Sequence, residues 1–90
     1  QQVNDRLIEA LKDEAVSIRL AAIDALSTVG DHSCIVALRE ALLDMETEVA
    51  LSALDALRTL GGEQELRYLL AQENLPQFLR DAIELYLYND

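Results

Sequence analysis

Ninety residues with an apolar share of 51%, a charged share of 27% and a formal net charge of −10 describe one domain with a modest core and no long disordered region. A chain of this size hides about 60–65% of its unfolded surface, which favours architectures built from local, helical contacts. Seven lysines and arginines against seventeen carboxylates are too few to track a phosphate backbone, so no nucleic-acid partner is expected, and no run approaches the roughly 18–20 apolar residues of a membrane span, so no membrane insertion is expected either.

The opening Gln1-Gln2-Val3-Asn4 has neither the basic-then-apolar order of a signal peptide nor an initiator Met, and reads as the continuation of a longer chain. Leu7, Ala10 and Leu11 keep helical spacing and predict a first helix over about 4–13. A break at Asp13-Glu14-Ala15 separates it from a second helix over 16–29, where Ile18, Ala22, Ala25, Leu26 and Val29 form the expected buried stripe. Gly30 stands where a left-handed closing residue is needed, and Gly61 takes the same part later in the chain. His32, the one histidine, falls in the turn beside Asp31, and Cys34, the one cysteine, is expected to be a buried structural thiol, which excludes an intrachain disulfide and sets the expected location as cytoplasmic.

A second helix pair is predicted over 34–43 and 47–60. It copies the first at a shift of 31 positions: Leu7 falls on Leu38, Glu9 on Glu40, Ala10 on Ala41, Leu11 on Leu42 and Asp13 on Asp44, and then Leu20 on Leu51, Ala22 on Ala53, Asp24 on Asp55, Ala25 on Ala56, Leu26 on Leu57 and Gly30 on Gly61. A period in this range marks a stacked-repeat fold, because each unit exposes an apolar face that its neighbour covers. The alanines at 22, 25, 53 and 56 are packing devices that let helices approach closely.

A third copy is worn. Leu66, Leu69 and Leu70 make its first helix, Pro76 suits the first turn of the next, and Leu79, Ala82, Ile83 and Leu87 carry that helix's apolar face. Asn74 and Arg80 lie 61 places after Asp13 and Arg19 rather than two full periods, which points to a shortened loop or a specialised end unit. Tyr86 and Tyr88 suit a cap whose rings cover apolar surface while their hydroxyls stay wet. The expected architecture is therefore all-α: one domain over 1–90, with repeats at about 4–33, 34–63 and 64–90.

These residues resemble the HEAT-repeat family, and within it the short repeats of the phycobilisome-lyase class. The first unit reads Asp13, Ile18-Arg19, Ala22, Ala25-Leu26 and Gly30-Asp31; the second reads Asp44, Val49, Ala53, Ala56-Leu57 and Gly61. The resemblance implies an α-solenoid of about three antiparallel helix pairs in a right-handed superhelical stack. It also implies a ladder in which the Asp carboxylate caps the start of the second helix and the Arg guanidinium reaches a carboxylate of the adjoining unit. Ala50 stands where Arg19 and Arg80 have arginine, so that rung is expected to be missing.

No catalytic constellation is legible. One His and one Cys cannot make a metal site alone, no Ser sits in a Gly-x-Ser-x-Gly elbow, and Gly61-Gly62 runs into Glu63, whose charge repels phosphate. The related deoxyhypusine hydroxylase carries His-Glu pairs on its repeats, and this chain has none. The expectation is a non-enzymatic module with no cofactor, no metal and another protein as partner.

Where that partner sits follows from helical geometry. Stepping 100° per residue puts Leu20, Asp24 and Ser27 away from the stripe, with Leu51, Asp55 and Arg58 as their counterparts. In stacks of the resembling family the second helices line the concave surface. These six residues are the candidate protein-binding site, apolar anchors bordered by carboxylates that suit a basic helix or extended segment. The alternative for Leu20 and Leu51 is sideways packing between repeats with Ile23 and Leu54. Two other functions stay open at this stage: part of a phycobilin lyase-like enzyme or accessory subunit, and a structural spacer or end cap.

Overall fold

The computed structural model describes residues 2–88, and among them it is all-helical. Five helices follow in order: α1 (Gln2–Ala10), α2 (Val16–Val29), α3 (His32–Ala41), α4 (Thr47–Leu70) and α5 (Gln77–Tyr88). Helix α4 is two helical segments joined at Gly62, whose φ of 62° and ψ of −151° interrupt the helix. The chain thus makes three helix pairs: α1 with α2, α3 with the first segment of α4, and the second segment of α4 with α5. Helix α2 packs on α1, α3 and α4, and α5 packs on α4.

Helix α1 ends at Ala10, three residues before the expected Asp13. The intervening residues close in a tighter turn, with the Leu11, Lys12 and Asp13 amides donating to the Ile8, Glu9 and Ala10 carbonyls. The α3 terminus repeats this, with Leu42, Leu43 and Asp44 donating to Arg39, Glu40 and Ala41. Asp13 and Asp44 then start the next helix in each pair. Their Oδ1 atoms accept from the Ala15 and Glu46 amides, each at 2.9 Å. The caps themselves, Ala15 and Glu46, contribute no side-chain hydrogen bond, so the aspartate two residues earlier satisfies the turn that the cap residue does not. Pro76 occupies the equivalent place ahead of α5, where its carbonyl accepts from Leu79 and Arg80.

Asp31 caps α3 directly. Its Oδ1 accepts from the Cys34 amide at 3.0 Å and the Ser33 hydroxyl at 2.7 Å, and its Oδ2 accepts from Asn4 Nδ2 at 2.6 Å, which ties α1 to the start of α3. The bonds from Ser33 and Cys34 hold the carboxyl at about 2, below its ordinary 3.8, because they favour the ionised form.

The core runs through every pair. Leu26, Leu38, Leu54, Leu57, Leu79, Ile83, Val49 and Cys34 are its largest fully buried side chains. The Cys34 thiol is pushed up by burial, so the side chain packs as a small hydrophobe. Ala22, Ala53 and Ala56 are buried where helices come together. Burial departs from the expected α2 stripe, however. Ile18 and Val29 are 44% and 43% exposed and Ala25 is half-buried, while Ile23, one step round the helix, is buried. The α2 core face is therefore centred on Ala22, Ile23 and Leu26.

The left-handed glycine of the first pair is Gly30, at φ 75°, and its amide donates to the Leu26 carbonyl. In the second pair the positive φ falls on Gly62 rather than on Gly61 as expected. Gly61 is needed for space instead: a Cβ there would lie 2.5 Å from Cβ of Glu65. The lost residue of the third unit also lies elsewhere than expected. Its first helical segment, from Glu63 to Leu70, is shorter than α3, while the connection from Ala71 to Pro76 is not shortened.

Candidate functional site

Neighbouring pairs are fastened by ion pairs as well as by the core. Arg19 Nε and Nη2 donate to Asp44 Oδ2 and Oδ1 at 2.8 and 3.2 Å, and its Nη1 donates to the Asp13 and Glu14 carbonyls at 2.7 and 3.1 Å. The fork of one guanidinium thus closes its own loop and reaches the next unit, a geometry lysine lacks. Ala50, in the arginine's place in α4, is fully buried. The link from the second pair to the third is made by a different couple: Arg39 of α3 and Glu65 of α4 form two hydrogen bonds at 2.8 and 2.7 Å, with Tyr68 stacked 4.2 Å from the guanidinium. Arg80 donates only to backbone carbonyls, that of Leu70 at the end of α4 and those of Gln72 and Leu75 in the connection after it.

With the units locked in this order, α2 and the first segment of α4 lie side by side and leave a groove of about 630 Å³ between them. Ile23 and Ala56, both buried, form its floor, and Leu20 and Leu51 its apolar walls. Leu20 is half-buried and packs on the core, whereas Leu51 is 39% exposed. Asp24, Glu48 and Asp55 stand exposed on the rim. Ser27 and Thr59 turn their hydroxyls back onto the Asp24 and Asp55 carbonyls at 2.6 and 3.0 Å, so they bound the groove without offering unpaired donors. Among the described residues no basic side chain lines it.

Five of the six expected site residues, Leu20, Asp24, Ser27, Leu51 and Asp55, therefore come together in one groove. Arg58 is drawn aside: it pairs with Asp55 Oδ1 at 2.7 Å and lies 4.4 Å from the centre of the Tyr86 ring. Leu20 divides its surface between the groove and the core. Glu48 was not among the expected residues. Its signal was its place at the start of α4, where a carboxylate favours the helix dipole and also projects beside Leu51.

A second hollow, of about 330 Å³, lies between α3 and the third unit and is lined by Val36, Leu43, Tyr68 and Leu75 among others. Leu43 and Tyr68 are exposed there. Among the described residues no cluster of His, Cys, Asp and Glu could hold a metal ion, and no helix is long and apolar enough to cross a membrane. His32 is exposed at the first turn of α3.

No curated protein and no solved structure matches this chain. The family model for HEAT repeats matches residues 2–87, nearly the entire sequence and all three helix pairs. The chain belongs to the HEAT-repeat family.

Proposed function

We propose that the chain is a protein-interaction segment that holds a basic amphipathic helix or extended segment of a partner protein in the groove between α2 and α4. The observation that carries this reading is the make-up of the groove: an apolar floor and walls at Ile23, Ala56, Leu20 and Leu51, with Asp24, Glu48 and Asp55 on the rim and no basic residue in the lining. An apolar stripe on a bound segment fills the trough, and lysines or arginines on its flanks meet the rim. In the right-handed stack that the repeat implies, α2 and α4 line the concave side and the groove runs along it. The module supplies binding and no chemistry of its own.

The test is an affinity capture with the wild-type domain and with the Asp24→Lys, Asp55→Lys double variant. Both aspartates are exposed, so the variant keeps its helical circular-dichroism spectrum, while recovery of groove-bound partners falls about tenfold or more. Equal recovery of the same partners by both proteins refutes the reading.

A further inference from the structure

Arg58 and Tyr86 meet across two helix pairs, and neither lines the groove. By helical phase Arg58 belongs there: its counterpart one period earlier, Ser27, lines the groove, and Asp55, one turn before Arg58, stands on the rim. The guanidinium is instead turned toward α5. It lies 4.4 Å from the centre of the Tyr86 ring, and its Nη2 donates to Asp55 Oδ1 at 2.7 Å. Helix α5 packs on α4 and contributes no residue to the groove lining, so this contact is where the third pair meets the rim.

A second arginine shows how much of the hold on Arg58 comes from the ring. Arg39 also stacks on a tyrosine, Tyr68, but two hydrogen bonds fasten it to the buried Glu65. Arg58 has a single bond, to a carboxylate that is itself exposed. An exposed ion pair and an exposed cation–π contact are of similar worth, so the ring supplies about half of what fixes Arg58.

Asp24, the counterpart of Asp55 on α2, has no ion-pair partner among the described residues, and neither has Glu48. A guanidinium released from the ring is drawn between Asp24 and Asp55, where it meets two carboxylates rather than one. Packed helices lie roughly 8–10 Å apart, and an arginine one turn along from Asp55 reaches the middle of that gap. Placed there, it neutralises the rim and stands over the apolar trough.

We propose that Tyr86 is a positioning residue for the groove: its ring holds Arg58 on the α5 side of Asp55, so that Asp24 and Oδ2 of Asp55 stay open to a cation on the partner segment. That role rests on the function proposed for the groove and adds the element that sets its charge, the third helix pair. Helix α5 thereby tunes partner recognition without touching the partner.

The test is calorimetric binding of a synthetic leucine–lysine amphipathic helix, about four turns long, to the 90-residue chain at low ionic strength. Tyr86→Ala leaves the net charge as it is and weakens binding about fivefold. Tyr86→Phe, which keeps the ring, retains the wild-type affinity. Arg58→Ala added to Tyr86→Ala restores the affinity of Arg58→Ala alone, since no guanidinium is left to misplace. In NMR spectra the Arg58 Nε–H shows contacts to the ring of residue 86 in the wild type and to Asp24 in Tyr86→Ala. The proposal is overturned if Tyr86→Ala binds as tightly as the wild type, or if Arg58 stays away from Asp24 in that variant. It is also overturned by a double variant as weak as Tyr86→Ala, which would put the loss in the packing of α5. The groove function fails separately, and takes this role with it, if Asp24→Lys with Asp55→Lys weakens binding no more than Asp5→Lys with Glu9→Lys, an equal change of net charge on exposed positions of α1.

Discussion

Arg19 joins two kinds of contact that are separable by substitution. Its bonds to the Asp13 and Glu14 carbonyls fasten its own loop, and its fork onto Asp44 fastens the next unit, with side-chain exposures of only 13% and 11% for the pair. Arg19→Ala leaves Asp44 largely desolvated without its counter-charge, and equilibrium urea unfolding should show a loss of roughly 2–4 kcal/mol. Arg19→Lys should recover only part of it, since one ammonium cannot serve both sets of acceptors. Asp31 acts through pH. Its folded-state value near 2 lies below the ordinary 3.8, so its contribution to stability is complete above about pH 4 and is lost as the pH falls toward 2. The stability difference between wild type and Asp31→Asn should therefore be constant at neutral pH and shrink across that interval; a difference that does not change between pH 5 and pH 2 would show that the cap bonds do not depend on the charge.

At the scale of the helix, Gly62 sets the angle between the second and third pairs. Its φ of 62° and ψ of −151° lie in a region essentially reserved for glycine, although nothing stands within 4 Å of where a Cβ would project. Gly62→Ala should therefore destabilise by about 1–3 kcal/mol through backbone strain alone, read as a drop in thermal midpoint with helical content retained. The sequence period correctly located a break at Gly61-Gly62, but not which glycine turns. Periodicity reports where a helix must stop, and the backbone angle depends on how the next segment is held, here by Glu65 on Arg39. The α2 stripe went astray for a related reason. Ile18 and Val29 carry the spacing of a buried face, yet in a stacked fold such a face is buried only when a neighbouring unit lies over it, and Val49 shows the same position with its neighbour present. Spacing therefore revealed which surface is built for packing, while exposure revealed that it is uncovered.

Across the molecule, helix pairs and their order were legible because the 31-residue echo carries fold information twice over. The groove was partly legible. Leu20, Asp24, Leu51 and Asp55 follow from helical phase, whereas Glu48 and the floor at Ile23 and Ala56 depend on how α2 and α4 approach each other, and Arg58 left the row because Tyr86, distant in sequence, offers a ring to stack on. The groove is the proposed seat of a protein partner. This placement is tested most directly by amide chemical-shift mapping of the domain against a partner recovered by the capture experiment. The large shifts should fall along Leu20, Asp24, Ser27, Glu48, Leu51 and Asp55; shifts concentrated instead at Val36, Leu43 and Tyr68, with the groove residues unmoved, would place the partner elsewhere.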